Sequence, residues 1–182
     1  MDYAPLLNKI TLKFNDSFQE HRQDVSAIRL TPDKHLWLGS DETSTIERLS
    51  FIDDKTFADH KHYNATDFIS LPASAEEEID IEGFAYSNYY LWFVGSHSWK
   101  RKKPKPDKTD DKNINRLTKL QSEPNRYLIG RIPLINGELV KSYPHPEKPQ
   151  EQLMAVKKIW EKTAALPTCS KLRIGFVNLS AT

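Results

Sequence analysis

Asp80-Ile81-Glu82-Gly83-Phe84, followed by Leu91-Trp92-Phe93-Val94-Gly95-Ser96, restates an earlier stretch of the chain, Asp24-Val25-Ser26-Ala27-Ile28 followed by Leu36-Trp37-Leu38-Gly39-Ser40. The two tryptophans are 55 residues apart and the two aspartates 56. A period of that size, with each copy built from short aromatic and β-branched runs, marks an architecture with one sheet per repeat, of which a β-propeller blade is the leading case. The fold expected is therefore all-β: a partial, propeller-like repeat of about two four-stranded blades, with one amphipathic helix toward the C-terminus.

Working outward, Ile10-Thr11-Leu12-Lys13-Phe14 alternates apolar with polar, the period of a half-buried strand, and opens a first unit of about 10–70. Its four strands are expected near Val25–Leu30, 36–40, 45–51 and 57–63, with Thr31-Pro32-Asp33-Lys34 as the first tight turn. The second unit, about 71–143, reads as strands Ile81–Ser87, 90–96, 126–134 and 138–142, with turns at Ser87-Asn88 and Asn136-Gly137. Pro133 cannot donate to a ladder and predicts a bend or an end there. Between Trp99 and Pro124 the apolar periodicity gives way to Lys, Asp, Asn and Pro, which predicts a long mobile surface loop. Leu153, Val156, Ile159, Trp160 and Thr163 recur at spacings of three and four and predict an amphipathic helix over 150–165, closed by Pro167. Leu172-Arg173-Ile174-Gly175-Phe176-Val177 echoes the Asp80 stretch without its acids and reads as an incomplete third unit over about 171–182.

A chain of 182 residues is ample for one domain but short for a closed ring of typically 4–8 blades, so open sheet edges and self-association through them are expected. A formal net charge of +1 supplies no global field toward nucleic acid or membrane. No run approaches the ~18 apolar residues of a membrane span, and the opening Met1-Asp2-Tyr3 lacks a basic, apolar leader; the location expected is the cytoplasm, with no membrane partner. Cys169 is the single cysteine, which excludes an intramolecular disulfide and a site of several thiolates.

Three stretches carry a resemblance: Asp80-Ile81-Glu82-Gly83-Phe84-Ala85; Leu91-Trp92-Phe93-Val94-Gly95-Ser96-His97-Ser98-Trp99-Lys100-Arg101-Lys102-Lys103; and Asn125-Arg126-Tyr127-Leu128-Ile129-Gly130-Arg131-Ile132-Pro133-Leu134. With these the chain resembles the bacterial domain-of-unknown-function family numbered 3616, over roughly Asp24 to Leu134. What the resemblance implies is a propeller-like all-β fold, with no established activity attached. Members of that family are longer, so the resemblance also implies that this chain corresponds to an N-terminal part of such a protein.

In propellers the innermost strand of each blade lines a central channel, and ligands gather where those strands open at one face. Asp24 and Asp80 open the inferred innermost strands, and Glu82, two residues after Asp80, is expected to project to the same side. Paired carboxylates repel and attract a cation, so Asp80, Glu82, Asp41 and His97 are the candidate ligands of a hard ion such as Ca²⁺ or Mg²⁺. The competing structural reading has Asp80 capping a turn and Glu82 paired with an arginine such as Arg126. Lys100, Arg101, Lys102 and Lys103, with Arg126, form the candidate site for a phosphorylated small ligand. The competing reading is a solvated charge run partly neutralised by Asp107, Asp110 and Asp111; a nucleic-acid backbone fits the same chemistry less well at this net charge. Ser96-His97-Ser98 has no Gly-x-Ser-x-Gly elbow, and the few glycines form no phosphate loop.

Two functions follow. One is a module that binds a ligand or a protein partner without chemistry. The other is a metal-dependent hydrolase of a phosphoester or lactone, in which a cation on Asp80 and Glu82 activates water while Lys100, Arg101 and Arg126 stabilise the developing anion. Two blades offer fewer carboxylates than a 6–8-coordinate site wants, which favours the binding module, or a short form that has lost the activity.

Overall fold

The computed structural model describes residues 9–16, 23–74 and 76–159. The strands in chain order are β1 (Thr11–Leu12), β2 (Val25–Leu30), β3 (His35–Ser40), β4 (Thr45–Asp53), β5 (Thr56–Asn64), β6 (Ile81–Ser87), β7 (Tyr90–Gly95) and β8 (Lys100–Arg101). Helix α1 (Asp110–Leu117) follows, then β9 (Leu120–Gln121), β10 (Leu128–Ile135), β11 (Glu138–Leu139), β12 (Ser142–His145), β13 (Lys148–Met154) and β14 (Val156–Ile159). The protein is all-β with a single α-helix among the described residues.

The first sheet runs β1-β5-β4-β3-β2, antiparallel except for β1, which lies parallel to β5. The second runs β6-β7-β10, with both β11 and β14 antiparallel to β10. The sequence repeat is a repeat of hydrogen-bond register. Ser26 bulges between the pairs Val25↔Ser40 and Ala27↔Gly39, and Glu82 bulges between Ile81↔Gly95 and Gly83↔Val94. Trp37 then faces Arg48 across β3–β4, as Trp92 faces Arg131 across β7–β10. Leu30 pairs with Leu36 but Tyr86 with Leu91, so the first turn is one residue longer, which is why the aspartates repeat at 56 and the tryptophans at 55.

Side chains alternate across each strand and give each sheet two faces. Trp37, Ile46 and Tyr63 on one face of the first sheet pack against Ile81, Leu91, Phe93 and Leu128 of the second. At Gly39 a Cβ would sit 2.8 Å from Ile81 Cγ2 and 2.9 Å from Phe84 Cε2, so only glycine admits that approach. The far face of the first sheet buries Leu36, Leu38, Leu49 and Phe57 under Leu12 and Phe14. On the far face of the second, Tyr90, Ile135 and Leu153 form a smaller cluster beneath the β12–β13 hairpin.

Three expectations are corrected. The stretch 150–159 is not helical: β13 pairs with β12, the chain bends at Ala155, whose N–H donates to Lys141 O, and β14 pairs with β10. Leu153, Val156 and Ile159 keep a helical spacing only because they fall on two strands with different partners; residues 160–165 and 171–182 lie outside the described residues. The fourth strand of the second sheet is accordingly β14, not 138–142, which holds the two-residue β11 and only the first residue of β12. The helix sits instead in the polar insertion, where Asp110 and Asp111 in the first turn and Arg116 in the last complement its dipole. Flanked by the β8–β9 ladder, that insertion is more ordered than the loop its composition predicts.

Candidate functional site

The bulge decides where the predicted acids go. Asp80 precedes β6 with a φ of +57°, a left-handed conformation that Asp tolerates better than most residues, and is 3% exposed. Glu82, at the bulge, is exposed, so the two carboxylates do not project to a common side. Asp80 is instead paired with Arg126 Nη2. Arg126 stands on a 3-10 turn, Pro124–Tyr127, and donates from Nε to Ser96 Oγ at 3.0 Å and from Nη2 to Ser98 Oγ at 3.2 Å. The structural reading thus has the right arginine with the other acid of the pair.

His97 (φ +53°) donates from Nδ1 to Gly95 O at 2.8 Å and from its backbone N–H to Arg126 O at 3.0 Å. Asp41 is exposed, and its N–H donates to Asp24 O. Among the described residues no three His, Cys, Asp or Glu side chains gather as a metal ion requires.

The basic run divides by residue. Lys100 Nζ lies 2.6 Å from Glu78 Oε2 and 3.5 Å from Glu123 Oε1. Burial disfavours its charge, but the bond to Glu78 and the field of both carboxylates outweigh that and lift its pKa. Lys103 is paired with Glu42; the bond raises the lysine and holds the carboxylate below its ordinary value. Arg101 Nη1 donates to Leu117 O at the end of α1, at 2.9 Å. Lys102 is half-buried, and Trp99 beside the run is 44% exposed. The structure therefore gathers Asp80, Arg126, Lys100 and Lys103 with Glu42, Glu78 and Glu123 into a zone in which each cation faces a carboxylate, while Glu82 stands outside it.

Sequence reading missed two polar centres, one half-exposed and one buried. Glu138 on β11 accepts from Arg48 Nη1 at 2.8 Å, Lys61 Nζ and Tyr63 Oη, and so bridges the two sheets. Desolvation opposes its charge, yet the bonds from Lys61, Tyr63 and Arg48 hold its pKa down at about 2. Glu47, 1% exposed, bonds His60 Nε2 at 2.7 Å and His62 Nδ1 at 2.9 Å. His60 and His62 at a strand spacing of two were the one available signal for it.

On the far face of the second sheet a cavity of about 500 Å³ is lined by Tyr90, Trp92, Arg131, His145, Glu147 and Lys148, among others. The guanidinium carbon of Arg131 lies 4.4 Å from the Tyr90 ring centre and 5.3 Å from that of Trp92. A more apolar hollow of about 270 Å³ adjoins it, between Trp92, Ile129, Arg131 and Val156. No described helix is long and apolar enough to cross a membrane.

The family model described as Protein of unknown function (DUF3616) matches residues 24–169, well over half of the chain, and the chain belongs to that family. No curated protein and no solved structure matches it.

Proposed function

We propose that this member of the DUF3616 family is a propeller-like binding module that takes another polypeptide on the far face of its second sheet. The observation that carries the reading is the composition of that face. Trp92, Ile129, Arg131 and Val156 bound a mostly apolar hollow, which adjoins a larger polar cavity holding Glu147, Lys148 and Glu151, and Arg131, common to both, stacks on two aromatic rings. Aromatic residues and arginine are the side chains over-represented where binding energy concentrates in protein interfaces. The zone around Asp80 and Arg126 supports the same reading from the other side. Its charges are spent on one another, so a cation would have to take Asp80 from Arg126, and a phosphate would have to take Lys100 from Glu78 and Glu123.

The test against a metal-dependent hydrolase is a turnover and melting series with phosphoester and lactone substrates, with Ca²⁺, with Mg²⁺ and with chelator. The binding module gives no chelator-sensitive turnover. Hydrolysis abolished by chelator, or a Ca²⁺-dependent rise in melting temperature that Glu82→Gln removes, would overturn it.

A further inference from the structure

The two sheets are register copies, so the interface between them shows what each unfilled face is shaped to receive. The near face of the first sheet presents Trp37, Gly39, Ile46 and Arg48 to the second; the same positions in the second sheet are Trp92, Val94, Ile129 and Arg131. Trp37 is fully buried, whereas Trp92 is partly exposed and Val156 is 45% exposed. Arg48 donates to Gly137 O and Glu138 of the second sheet. Arg131, its counterpart, stacks on Tyr90 and Trp92 and has no hydrogen-bond or ion-pair acceptor among the described residues.

The opposite end of the chain supplies the complement. In the internal interface the second sheet offers Ile81, Phe84 and Tyr86 together with the acidic turn Asn136-Gly137-Glu138. The positions in the first sheet are Val25, Ile28 and Leu30, and the matching turn is Asp54-Lys55, preceded by Asp53 at the end of β4, so two acids and one lysine stand where the second sheet has Asn136-Gly137-Glu138. Ile28 and Leu30 are 59% and 52% exposed, and Asp53 and Asp54 are exposed too. Side-chain sizes compensate: inside the chain Phe84 fits over Gly39, and across copies the smaller Ile28 would meet the larger Val94.

We propose that a second copy of this chain docks on the far face of the second sheet through its own first sheet, repeating between copies the interface that joins the two sheets within one. Arg131 of one copy then bonds Asp53 or Asp54, beside the β4–β5 turn of the next, and Ile28 and Leu30 cover Val94, Ile129 and Trp92. Leu12 and Phe14 already shelter the β1–β5 side of the first sheet, so the contact falls on the opposite edge strand, β2. The interface is heterologous, one face against a different face, and therefore generates a ring or a filament rather than a closed symmetric pair. The inference rests on the polypeptide-binding reading above and fixes its partner.

The test is sedimentation velocity of the full chain over a concentration series, with two single-face variants. The wild type should show a mass that climbs with concentration above the 21.1 kDa of one chain. Arg131→Glu, which spoils only the accepting face, and Ile28→Asp, which spoils only the donating face, should each be monomeric alone. Mixed, they should form a 1:1 pair of twice the chain mass and nothing larger, because each retains the face that the other lacks. Val156→Asp and Leu30→Lys, at exposed positions, serve as replacements if either variant unfolds in circular dichroism. A wild type that stays monomeric throughout, or a mixture that stays monomeric, overturns the proposal while leaving the binding reading to another polypeptide. Chelator-sensitive turnover would instead sink the reading beneath it.

Discussion

Arg48 on β4 and Glu138 on β11 are joined at 2.8 Å across the gap between the two sheets, and the same arginine nitrogen donates to Gly137 O at 2.6 Å. Lys61 and Tyr63 on the adjacent strand β5 close on the other carboxylate oxygen. One carboxylate so placed ties three side chains of one sheet to a tight turn of the other.

Stability should carry the titration of that carboxylate. Its folded pKa, about 2, is depressed from an ordinary 4.5, so its contribution is complete above about 4.5 and disappears as pH falls toward 2. Glu138→Gln should melt below wild type at neutral pH, with the gap closing progressively through that window. Calorimetry at a series of pH values checks it, and a gap that does not change with pH would refute the assignment.

Glycine positions should differ sharply in what they tolerate. A Cβ at Gly95 would lie 2.6 Å from Arg126 O and 2.8 Å from Ile79 O, both backbone atoms that cannot turn aside. Gly83 would meet only Val94 Cγ1, at 3.3 Å. Gly95→Ala is expected to cost about 1–3 kcal/mol or more, as overpacking does, and Gly83→Ala much less. Urea denaturation with an unchanged slope distinguishes them.

Removing one member of the Asp80–Arg126 pair should be costlier than trimming the other. Arg126→Met leaves the buried Asp80 carboxylate without its counter-charge, a loss of about 3–5 kcal/mol in comparable pairs. Asp80→Asn keeps a residue that accepts the left-handed backbone and still offers an acceptor oxygen, and should lose less. Equal losses in chemical denaturation would show that the pair contributes geometry rather than charge.

The basic run should behave as single residues, not as a patch. Lys100→Gln breaks contacts with Glu78 and Glu123 and is expected to cost about 1 kcal/mol, while Lys102→Gln should stay within about 0.5 kcal/mol. Nucleotide titrations at low and high salt should show no steep salt dependence. A slope of about 0.7–0.9 log unit per phosphate, lost when Lys100, Arg101, Lys102 and Lys103 all become Gln, would restore the phosphate reading.

The repeat was legible because it is written twice: Asp, a bulge, and a tryptophan facing an arginine occur at matching places in both sheets, and short strands with hairpin turns announce themselves locally. The last strand was not legible. Leu153, Val156 and Ile159 mimic a helix, and only the pairing of β14 with a strand some 25 residues upstream decides otherwise. The acids near Asp80 were found, but a strand alternation cannot reveal that Glu82 occupies a bulge, which turns it away from Asp80. Glu138 gave no signal at all, since its three partners come from the other sheet.

The two polar excursions in the second sheet also set an order of assembly. In the first sheet β3 and β4 are joined by residues 41–44, whereas β7 and β10 are separated by residues 96–127 and β14 follows only after the β12–β13 hairpin. At about 0.6 kcal/mol per doubling of loop length, that eightfold longer connection costs about 2 kcal/mol more to close. The first sheet should form early from neighbouring hairpins, and the second should condense upon it, using its exposed Trp37 face as a template.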